Sequence, residues 1–413
     1  MKPKPSPQSE DTPTSPPFEV LRVFLQLGCT SFGGPIAHIG YFHREFVERR
    51  RWLDDATFSD LFALSQFLPG PASSQVGFSI GLLRAGCWGG MAAWLGFTLP
   101  SALLMAACAS IAPQLDNPFG NGLIHGLKLV AVAVVAQAIW DMARRLCPDV
   151  PRAAIALAAL ALLSVLHSVY AQLVTIGGGA LLGLAFCRTS ASADSHTAPH
   201  AIHAYALPRA ASGMALALFC ALLAGLPALE ALLSSPWALK LFDVFYRSGA
   251  LVFGGGHVVL PLLQQATVAS GWIPANAFLA GYGAAQAMPG PLFTFASYLG
   301  WIMSPGAHHW IGALCATLGI FLPGLLLVIA VLPHWQALRA RPAIAALFAG
   351  ANAAVVGLLA SAFRTPVWTS AVLSATDLVI ALIALLLLVR WRVRPLFIVL
   401  LCAAAGIVES FAR

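Results

Sequence analysis

The chain has 413 residues, of which 59% are hydrophobic and 9% are charged, and its mean hydropathy is +0.81. A typical soluble domain carries roughly 25% charged residues, so this composition excludes a soluble globular fold. The formal net charge is +7, but the basic residues lie in short clusters beside apolar segments, where membrane proteins carry their orientation signals. This distribution argues against nucleic-acid binding.

Long apolar segments predict membrane-spanning helices. Residues 89–112, 122–143 and 309–332 each reach the roughly 20 residues that cross a hydrocarbon core about 30 Å thick. A transmembrane β-barrel would instead show short segments of alternating polarity. The predicted fold class is therefore all-α, and we expect a multi-pass protein of the bacterial inner (cell) membrane.

Two polar stretches mark the organisation of the chain. Residues 1–17 are rich in Pro, Ser and Lys and lack the apolar core of a signal peptide, so we expect a disordered N-terminal tail. Residues 188–210 are also polar, and we interpret their histidines as part of a flexible linker rather than as metal ligands. The remaining predicted units are an N-terminal repeat (18–187), an extra connecting span (211–235) and a C-terminal repeat (236–413).

The sequence carries no pattern typical of an enzyme or a cofactor site. Eight cysteines are scattered through apolar sequence without a CxxC pair, which indicates neither disulfides nor a zinc site. HExxH, GxSxG, Walker and Rossmann patterns are absent, so ATP hydrolysis is not expected. We therefore predict no enzyme activity, no metal and no cofactor.

The two halves of the sequence align with each other. The segment Ser31-Phe32-Gly33-Gly34-Pro35 corresponds to Val252-Phe253-Gly254-Gly255-Gly256, and Pro69-Gly70-Pro71 corresponds to Pro289-Gly290-Pro291. Further matched pairs are Phe24 with Phe245, Trp52 with Trp272, Gln66 with Gln286, and Lys128 with Asn352. Internal repeats of this kind are typical of membrane transporters.

The loops predict that the two repeats have inverted topology. Loop 113–121 has no Lys or Arg, whereas the equivalent loop of the second half contains Arg339 and Arg341. The next loop reverses this difference, because Arg144, Arg145 and Arg152 all lie in the first half. Since positive loops stay in the cytoplasm, equivalent loops are expected on opposite sides of the membrane.

Gly and Pro residues interrupt the apolar segments at the two matched motifs of each half. The segments before these breaks have about 12 to 15 residues and are too short to span a membrane. We expect two re-entrant hairpins per half, with ordinary kinked helices as the alternative. A half-helix that begins at such a break presents free N–H groups and a positive dipole end, which suits an oxyanion.

The candidate anion-binding residues lie at these breaks or are polar and charged residues within the neighbouring segments, where such residues are costly. In the first half they are Gly33, Gly34, His38, Arg44, Gln66, Pro69, Gly70, Ala72, Ser73, Ser74, Gln75, Arg84 and Lys128, and in the second half Gly255, Gly256, His257, Gln286, Gly290 and Asn352. Lys128 and Arg84 are the first candidates for a compensating cation. Asp60 and Asp243 are the candidates for proton coupling, although Asp243 can also pair with Arg247.

The segment from Phe32-Gly33-Gly34-Pro35 to Glu45-Phe46-Val47 resembles the signature of the chromate ion transporter (CHR) family. The resemblance extends through Leu68-Pro69-Gly70-Pro71, residues 249–261 and Met288-Pro289-Gly290-Pro291. It implies a long-chain, two-domain member that exports chromate from the cytoplasm, driven by the membrane potential or by protons, and so confers resistance. The family usually has Arg where this chain has His43, and Val where it has Met288.

Three alternatives stay open beside chromate export. Sulfate or another tetrahedral oxyanion could be the cargo, and an anion channel would pass such ions without alternating access. A membrane-bound chromate reductase would need a flavin or metal site. The expected partners are chromate or a related oxyanion, the lipid bilayer and, as an option, a second copy of the chain in a homodimer.

Overall fold

The computed structural model describes residues 16–114, 117–166, 171–187, 208–232 and 236–412. Nearly all of the predicted N-terminal tail and of the polar linker 188–210 lies outside these residues. The described residues contain no β-strand, so the predicted all-α fold class is confirmed for them.

The described part of the first half comprises seven helices. They are α1 (Pro17–Thr30), α2 (Gly34–His43), α3 (Asp55–Phe67), α4 (Ala72–Ile111), α5 (Pro118–Leu146), α6 (Val150–Val165) and α7 (Ala171–Phe186). A π-helical turn, Arg44–Arg49, continues α2. Helix α8 (Arg209–Leu232) follows and corresponds to the predicted extra span.

The described part of the second half comprises ten helices. Its helices are α9 (Trp237–Ala250), α10 (Val259–Thr267), α11 (Ala275–Ala285), α12 (Phe295–Ile302), α13 (His309–Val331), α14 (Trp335–Arg339), α15 (Pro342–Ala362), α16 (Thr369–Ala371), α17 (Ala375–Val389) and α18 (Pro395–Ala412). Short 3₁₀ turns precede α10, α12 and α14.

Five helices in the described part of the chain are long and apolar enough to cross a membrane. They begin at Ala72, Pro118, Arg209, His309 and Pro342, and they contain all three of the predicted spans. Large apolar side chains are exposed along their outer faces, including Leu99 and Leu103 on α4. Exposed leucines are favourable in contact with lipid, so the protein is a polytopic membrane protein.

Helix α4 consists of two antiparallel arms rather than one continuous span. Its backbone leaves the helical region at Ala85 and Gly86. A methyl group on Gly81 would lie 2.3 Å from the carbonyl oxygen of Gly89, so the chain folds back at this point. The first arm is residues 72–84 and the second arm is residues 87–111. Helices α12 and α13 repeat this arrangement, with Gly300 against Gly312.

The Gly/Pro breaks turn the chain into hairpins and not into kinked helices. Phe24 of α1 and Phe42 of α2 lie on opposite sides of the first break, yet their ring centroids are 5.7 Å apart. Across the second break of the second half, the hydroxyl of Tyr298 donates to the carbonyl of Ala277 at 3.1 Å. Residues about 20 positions apart in a kinked helix would be roughly 30 Å apart.

Helices α5 and α15 each pack against the last two helices of the other half, α17 and α18 for α5 and α6 and α7 for α15. A methyl group on Gly126 of α5 would lie 2.3 Å from the carbonyl of Cys402 on α18. In the same way, Gly350 of α15 lies against Gly179 and Gly183 of α7. Glycines allow this close backbone approach between membrane helices. The halves are therefore interlocked, and the contacts recur at positions that the sequence alignment pairs.

Candidate functional site

The four breaks of the chain meet in the interior of the protein, where they form the central site. Two backbone hydrogen bonds link the halves reciprocally: Gly70 N–H donates to Val252 O, and Gly290 N–H donates to Ser31 O, both at 2.8 Å. The first breaks of the two halves also touch, because a methyl group on Gly256 would lie 3.0 Å from the ring of Pro35.

Glycine is required at both of these cross-half hydrogen bonds. Gly70 has φ +124° and Gly290 has φ +87°, which side-chain-bearing residues rarely adopt. A methyl group on Gly70 would also lie 3.0 Å from Gly324 Cα, and one on Gly290 would lie 2.7 Å from the hydroxyl of Ser101. The close approach of the two halves therefore depends on these two glycines.

The helices that start at the breaks begin without side-chain caps. Within the described residues, no side chain accepts a hydrogen bond from the first turn of α2, of α4 or of the 3₁₀ turns that precede α10 and α12. The first N–H groups of a helix have no intrahelical partner, and together they carry about half a positive charge. Four such starts in one region give the central site an anion-attracting character without a charged side chain.

Several side chains of the first half leave buried polar atoms at this site. Ser31, His38, Ser74 and Thr98 are each at most 2% exposed. The three hydroxyls and His38 Nδ1 have no hydrogen-bond partner in the described part of the protein. His38 Nε2 lies 3.2 Å from Ser31 O, which ties the histidine to the break. Buried polar atoms without partners are costly, so these atoms are candidate contacts for a ligand.

Gln75 stabilises the second break of the first half through its amide nitrogen, so this group is not available to a ligand. Its amide nitrogen donates to Pro69 O at 2.8 Å and lies 3.3 Å from Gly324 O. Its oxygen Oε1 is buried and has no partner among the described residues. Gln75 therefore links the break of the first half to α13 of the second half.

The second half contributes a different polar arrangement. His257 Nδ1 lies 2.9 Å from the hydroxyl of Tyr282, and Gln286 lies beside the same hydroxyl. Asn352 is placed next to the first break, with its oxygen 3.6 Å from where a methyl group on Gly254 would lie. The Asn352 oxygen is buried and has no partner within the described residues. These residues surround the site with neutral polar groups.

Two predicted cations do not lie at the breaks. Arg84 is at the far end of the first arm of α4, about 18 Å of helix from Ala72, and its guanidinium stacks over the ring of Trp52 at 5.2 Å. Arg44 is exposed in the π-helical turn. Predicting Arg84 as a compensating cation for the central site was wrong, because the arm points the residue away from the break.

Lys128 lies in a separate place. It is 7% exposed, and its ammonium group donates to Asn276 Oδ1 at 3.3 Å and to Ser370 O at 3.2 Å. Asn276 is at the start of α11, whereas Gln286 and the break are at the other end, about 15 Å away along the helix. Lys128 is therefore outside the central site.

The two carboxylates predicted for proton coupling are both paired with arginines. Asp60 accepts from Arg339 at 2.5 Å, and Asp243 is bonded to Arg247 one helical turn away. Each of these carboxylates therefore already has a cationic partner, and proton coupling through either residue stays a prediction. The Asp60 pair also joins α3 to α14 of the other half.

Sequence reasoning missed three residues of the central site, namely Ser31, Thr98 and Tyr282. Ser31 lies inside a repeated motif, and its hydroxyl was a usable signal there, whereas Thr98 lies outside the motifs matched above. Tyr282 gave no such signal, because a tyrosine in an apolar helix is more often a packing residue.

Comparisons with known proteins identify relatives of this chain. A family model described as chromate transporter matches residues 18–184 and again residues 239–407. A chromate transport protein of Pseudomonas aeruginosa is 29% identical over 340 residues, which cover 81% of this chain and 77% of the relative. No solved structure matches.

Two further relatives align over nearly their whole length. A probable chromate transport protein of Synechococcus elongatus is 28% identical over 399 residues, covering 94% of this chain and 95% of the relative. A chromate transport protein of Cupriavidus metallidurans is 26% identical over 398 residues, covering 94% of each chain.

Proposed function

This chain belongs to the chromate transporter family, and we propose that it exports chromate from the cytoplasm through the central site. The membrane potential or protons would drive this export, and the cell would gain chromate resistance. Three relatives whose names refer to chromate transport support the choice of cargo. Their names also support a transporter rather than an enzyme.

The observation that carries this proposal is the set of unpartnered buried polar atoms beside four uncapped helix starts. Ser31, Ser74 and Thr98 offer hydroxyl donors, and the breaks add backbone N–H groups near Gly34 and Ala72. A divalent tetrahedral oxyanion needs several donors to replace its water, and bonds to a charged acceptor are about twice as strong as neutral ones. An apolar substrate would leave these donors unpaired.

We propose that the predicted residues that lie at or next to the four breaks bind the substrate. This set comprises Gly33, Gly34, His38, Gln66, Pro69, Gly70, Ala72, Ser73, Ser74 and Gln75 from the first half, and Gly255, Gly256, His257, Gln286, Gly290 and Asn352 from the second. Helix dipoles supply most of the attraction at this site, because the predicted arginines lie elsewhere.

Inverted topology of the two halves is part of the proposal. The reciprocal bonds Gly70 to Val252 and Gly290 to Ser31 are those that a twofold axis would generate, and the family model matches each half separately. Cysteine labelling from outside the cell tests the orientation. Loop 144–152 and loop 339–341 should both be protected as cytoplasmic loops, and labelling of either loop would refute the inversion.

Chromate accumulation in cells with and without the gene tests the function. Expression should lower intracellular chromate, and inverted vesicles should take up labelled chromate in a saturable, potential-dependent way. Sulfate as a competitor separates the cargoes, because stronger transport of sulfate would make it the substrate. Uptake that does not saturate would identify a channel. A chemically crosslinked dimer that keeps the transport activity of the untreated protein would support the proposed homodimer.

A further inference from the structure

An exposed face of α3 leads towards the central site. Ser59, Ala63 and Gln66 are exposed and follow each other at helical spacing, so they lie on one face of α3. The polar side chains of Ser59 and Gln66 are unfavourable against lipid, which favours water along this face. The face ends at Gln66, three residues before Pro69 of the second break. The basic segment 49–51 before α3 favours the cytoplasm as the side to which the face opens.

The polar atoms of the central site are nevertheless separated from this exposed face. Ser31 is 0% exposed and Ser74 is 1% exposed. Gln66, in contrast, is exposed although it precedes Ser74 by only eight positions. A barrier therefore lies between the end of the exposed face and the central site.

Three phenylalanine rings lie at the position of this barrier. Gly70 N–H donates to Val252 O across the two halves, Phe67 lies three residues before Gly70, and Phe253 directly follows Val252. The ring of Phe348 on α15 contacts both of the other rings. Its centroid is 4.0 Å from that of Phe67 and 5.9 Å from that of Phe253. These three residues, which we call the aromatic cluster, cover the point where the breaks of the two halves meet.

Helix α14 holds the aromatic cluster against α3 through two contacts. The ring of Trp335 packs edge-on against Phe67 with a centroid distance of 5.2 Å. Two helical turns nearer the start of α3, Asp60 accepts from Arg339 at 2.5 Å. Both contacts join the first half to the second half. The ion pair therefore fixes α14 on the same side of α3 as the ring contact.

The equivalent place in the other half is closed in a different way. The positions equivalent to Phe67 and Phe348 are Ala287 and Ile124, so the same aromatic pair cannot form there. Helix α11 instead packs directly on α5. Separating two packed helices is a slow collective motion, whereas rotation of a partly exposed side chain is fast. The side closed by side chains is therefore the one that opens with the smaller change.

We propose that Phe67, Phe253 and Phe348 form a gate between the cytoplasm and the central site, and that the Asp60–Arg339 pair keeps this gate closed. The inference rests on the proposed oxyanion transport through the central site. All three rings are only partly buried, so they have room to rotate. Because apolar constrictions exclude hydrated ions, a cytoplasmic anion passes only when the rings have moved apart. Their return separates the bound anion from the cytoplasm.

Labelling of a cysteine in the central site tests the gate. Ser74→Cys, in a full-length chain whose eight native cysteines are replaced, places a single thiol at a position that is 1% exposed. Inverted vesicles present the cytoplasmic side to a membrane-impermeant thiol reagent, and we expect slow labelling. Adding Phe67→Ala should make labelling about tenfold faster, because the aromatic contacts that keep the gate closed are lost.

Two further variants separate the gate from a general loss of packing. Phe67→Tyr retains the ring and should keep labelling slow. Phe397→Ala is the matched control, because it removes a phenylalanine from an exposed position on α18, and it should also label slowly. Right-side-out vesicles of Phe67→Ala should show no such increase, because only the cytoplasmic side has been opened.

The ion pair is tested without changing any ring. Asp60→Asn should speed labelling from inverted vesicles by a smaller factor, about twofold to fivefold, because a partly exposed ion pair contributes little. Exchanging the two charges in the double variant Asp60→Arg with Arg339→Asp should restore slow labelling. Fast labelling in the double variant would show that the pair does not keep the gate closed.

The proposed function is tested separately, by binding of labelled chromate to the purified wild-type protein. Absence of binding would refute the proposed function itself. Binding together with unchanged labelling in Phe67→Ala would overturn the gate and leave the central site intact. Equally fast labelling of Phe67→Ala from both kinds of vesicle would also overturn the gate, because the aromatic cluster would then only stabilise the fold.

Discussion

Helices α3 and α11 occupy equivalent positions in the two halves, but they are packed differently. On α11, a methyl group on Gly283 would lie 2.2 Å from the carbonyl of Leu127, so this face is closed against α5. On α3, the equivalent face carries Ser59, Ala63 and Gln66, which are exposed. The polar side chains of Ser59 and Gln66 are unfavourable against lipid, so we infer that this face borders water. The difference indicates a protein open along α3 and closed along α11.

The hydroxyl groups that follow the second breaks also differ between the two halves, in whether they already have a hydrogen-bond partner. The Ser74 hydroxyl has no partner among the described residues, whereas the equivalent Thr294 donates to Pro291 O at 2.8 Å. Ser297 of the second half also has a partner, at Ala102 O. At this pair of equivalent positions the first half therefore keeps its hydroxyl donor available, whereas the second half uses it internally.

The largest expected effect comes from the closed face. Gly283→Val should push α11 away from α5, because even one methyl group clashes with Leu127, and overpacking of this kind costs about 1–3 kcal/mol or more. We expect a clear fall in the melting temperature in detergent and loss of chromate transport. The equivalent change Ala63→Val on the open face should leave the melting temperature nearly unchanged. Equal destabilisation by both variants would remove the asymmetry.

The next largest effect concerns the positive charge of Lys128, because the equivalent residue of the second half is the neutral Asn352. Lys128→Gln keeps most of the size and hydrogen bonding of the side chain but removes its buried positive charge beside Asn276 and Ser370. Chromate transport should fall about tenfold or more at normal protein levels, because no neutral group compensates a divalent anion as a cation does. Lys128→Arg should retain most of the activity. Normal chromate resistance in Lys128→Gln would exclude the residue from the pathway.

A smaller effect on chromate affinity should distinguish Ser74 from Thr294, the equivalent hydroxyl residues that follow the second breaks of the two halves. Ser74→Ala removes a donor proposed to bind the oxyanion, and a hydrogen bond to a charged group contributes about 1.5–3 kcal/mol, so affinity should fall about tenfold or more. Thr294→Val removes a hydroxyl that already bonds to Pro291, so stability should fall slightly while affinity is kept. Equilibrium binding of labelled chromate measures both. The reverse pattern would place the anion in the second half.

The sequence predicted the breaks well because their signal is local. Gly33, Gly70 and Gly290 adopt positive φ angles that glycine alone reaches easily, and neighbouring prolines end the helices. The long helices were equally clear, because hydrophobic length is also a local property. The chain folds back at the breaks as expected, while the re-entrant placement of these hairpins and the inverted topology stay predictions.

Contacts between distant residues could not be predicted in this way. His125 and Asp377 are 252 positions apart, and they meet only because α5 packs against the closing helix pair of the other half. Arg84 was expected near an anion, but the ring of Trp52 holds it elsewhere. One sequence contains the residue types of such contacts but not the packing that brings them together.

The smallest expected effect is a pH dependence at the surface end of the open half. His43 lies 2.6 Å from Asp55 and 3.2 Å from Glu48, and the hydrogen bond with Asp55 raises the pKa of His43 above its ordinary value near 6.5. A raised pKa in the folded state means that the pair stabilises the fold below pH 6.5 and that this contribution is lost as pH rises through the folded-state pKa. Because the pair is exposed, the melting temperature should fall by only about 2 °C or less over that interval. His43→Arg, which places the residue usual in the family at this position, should keep the pair charged at every pH and abolish this difference. A pH dependence that persists in His43→Arg would assign the titration to another group, and the contact between α2 and α3 would then be independent of pH.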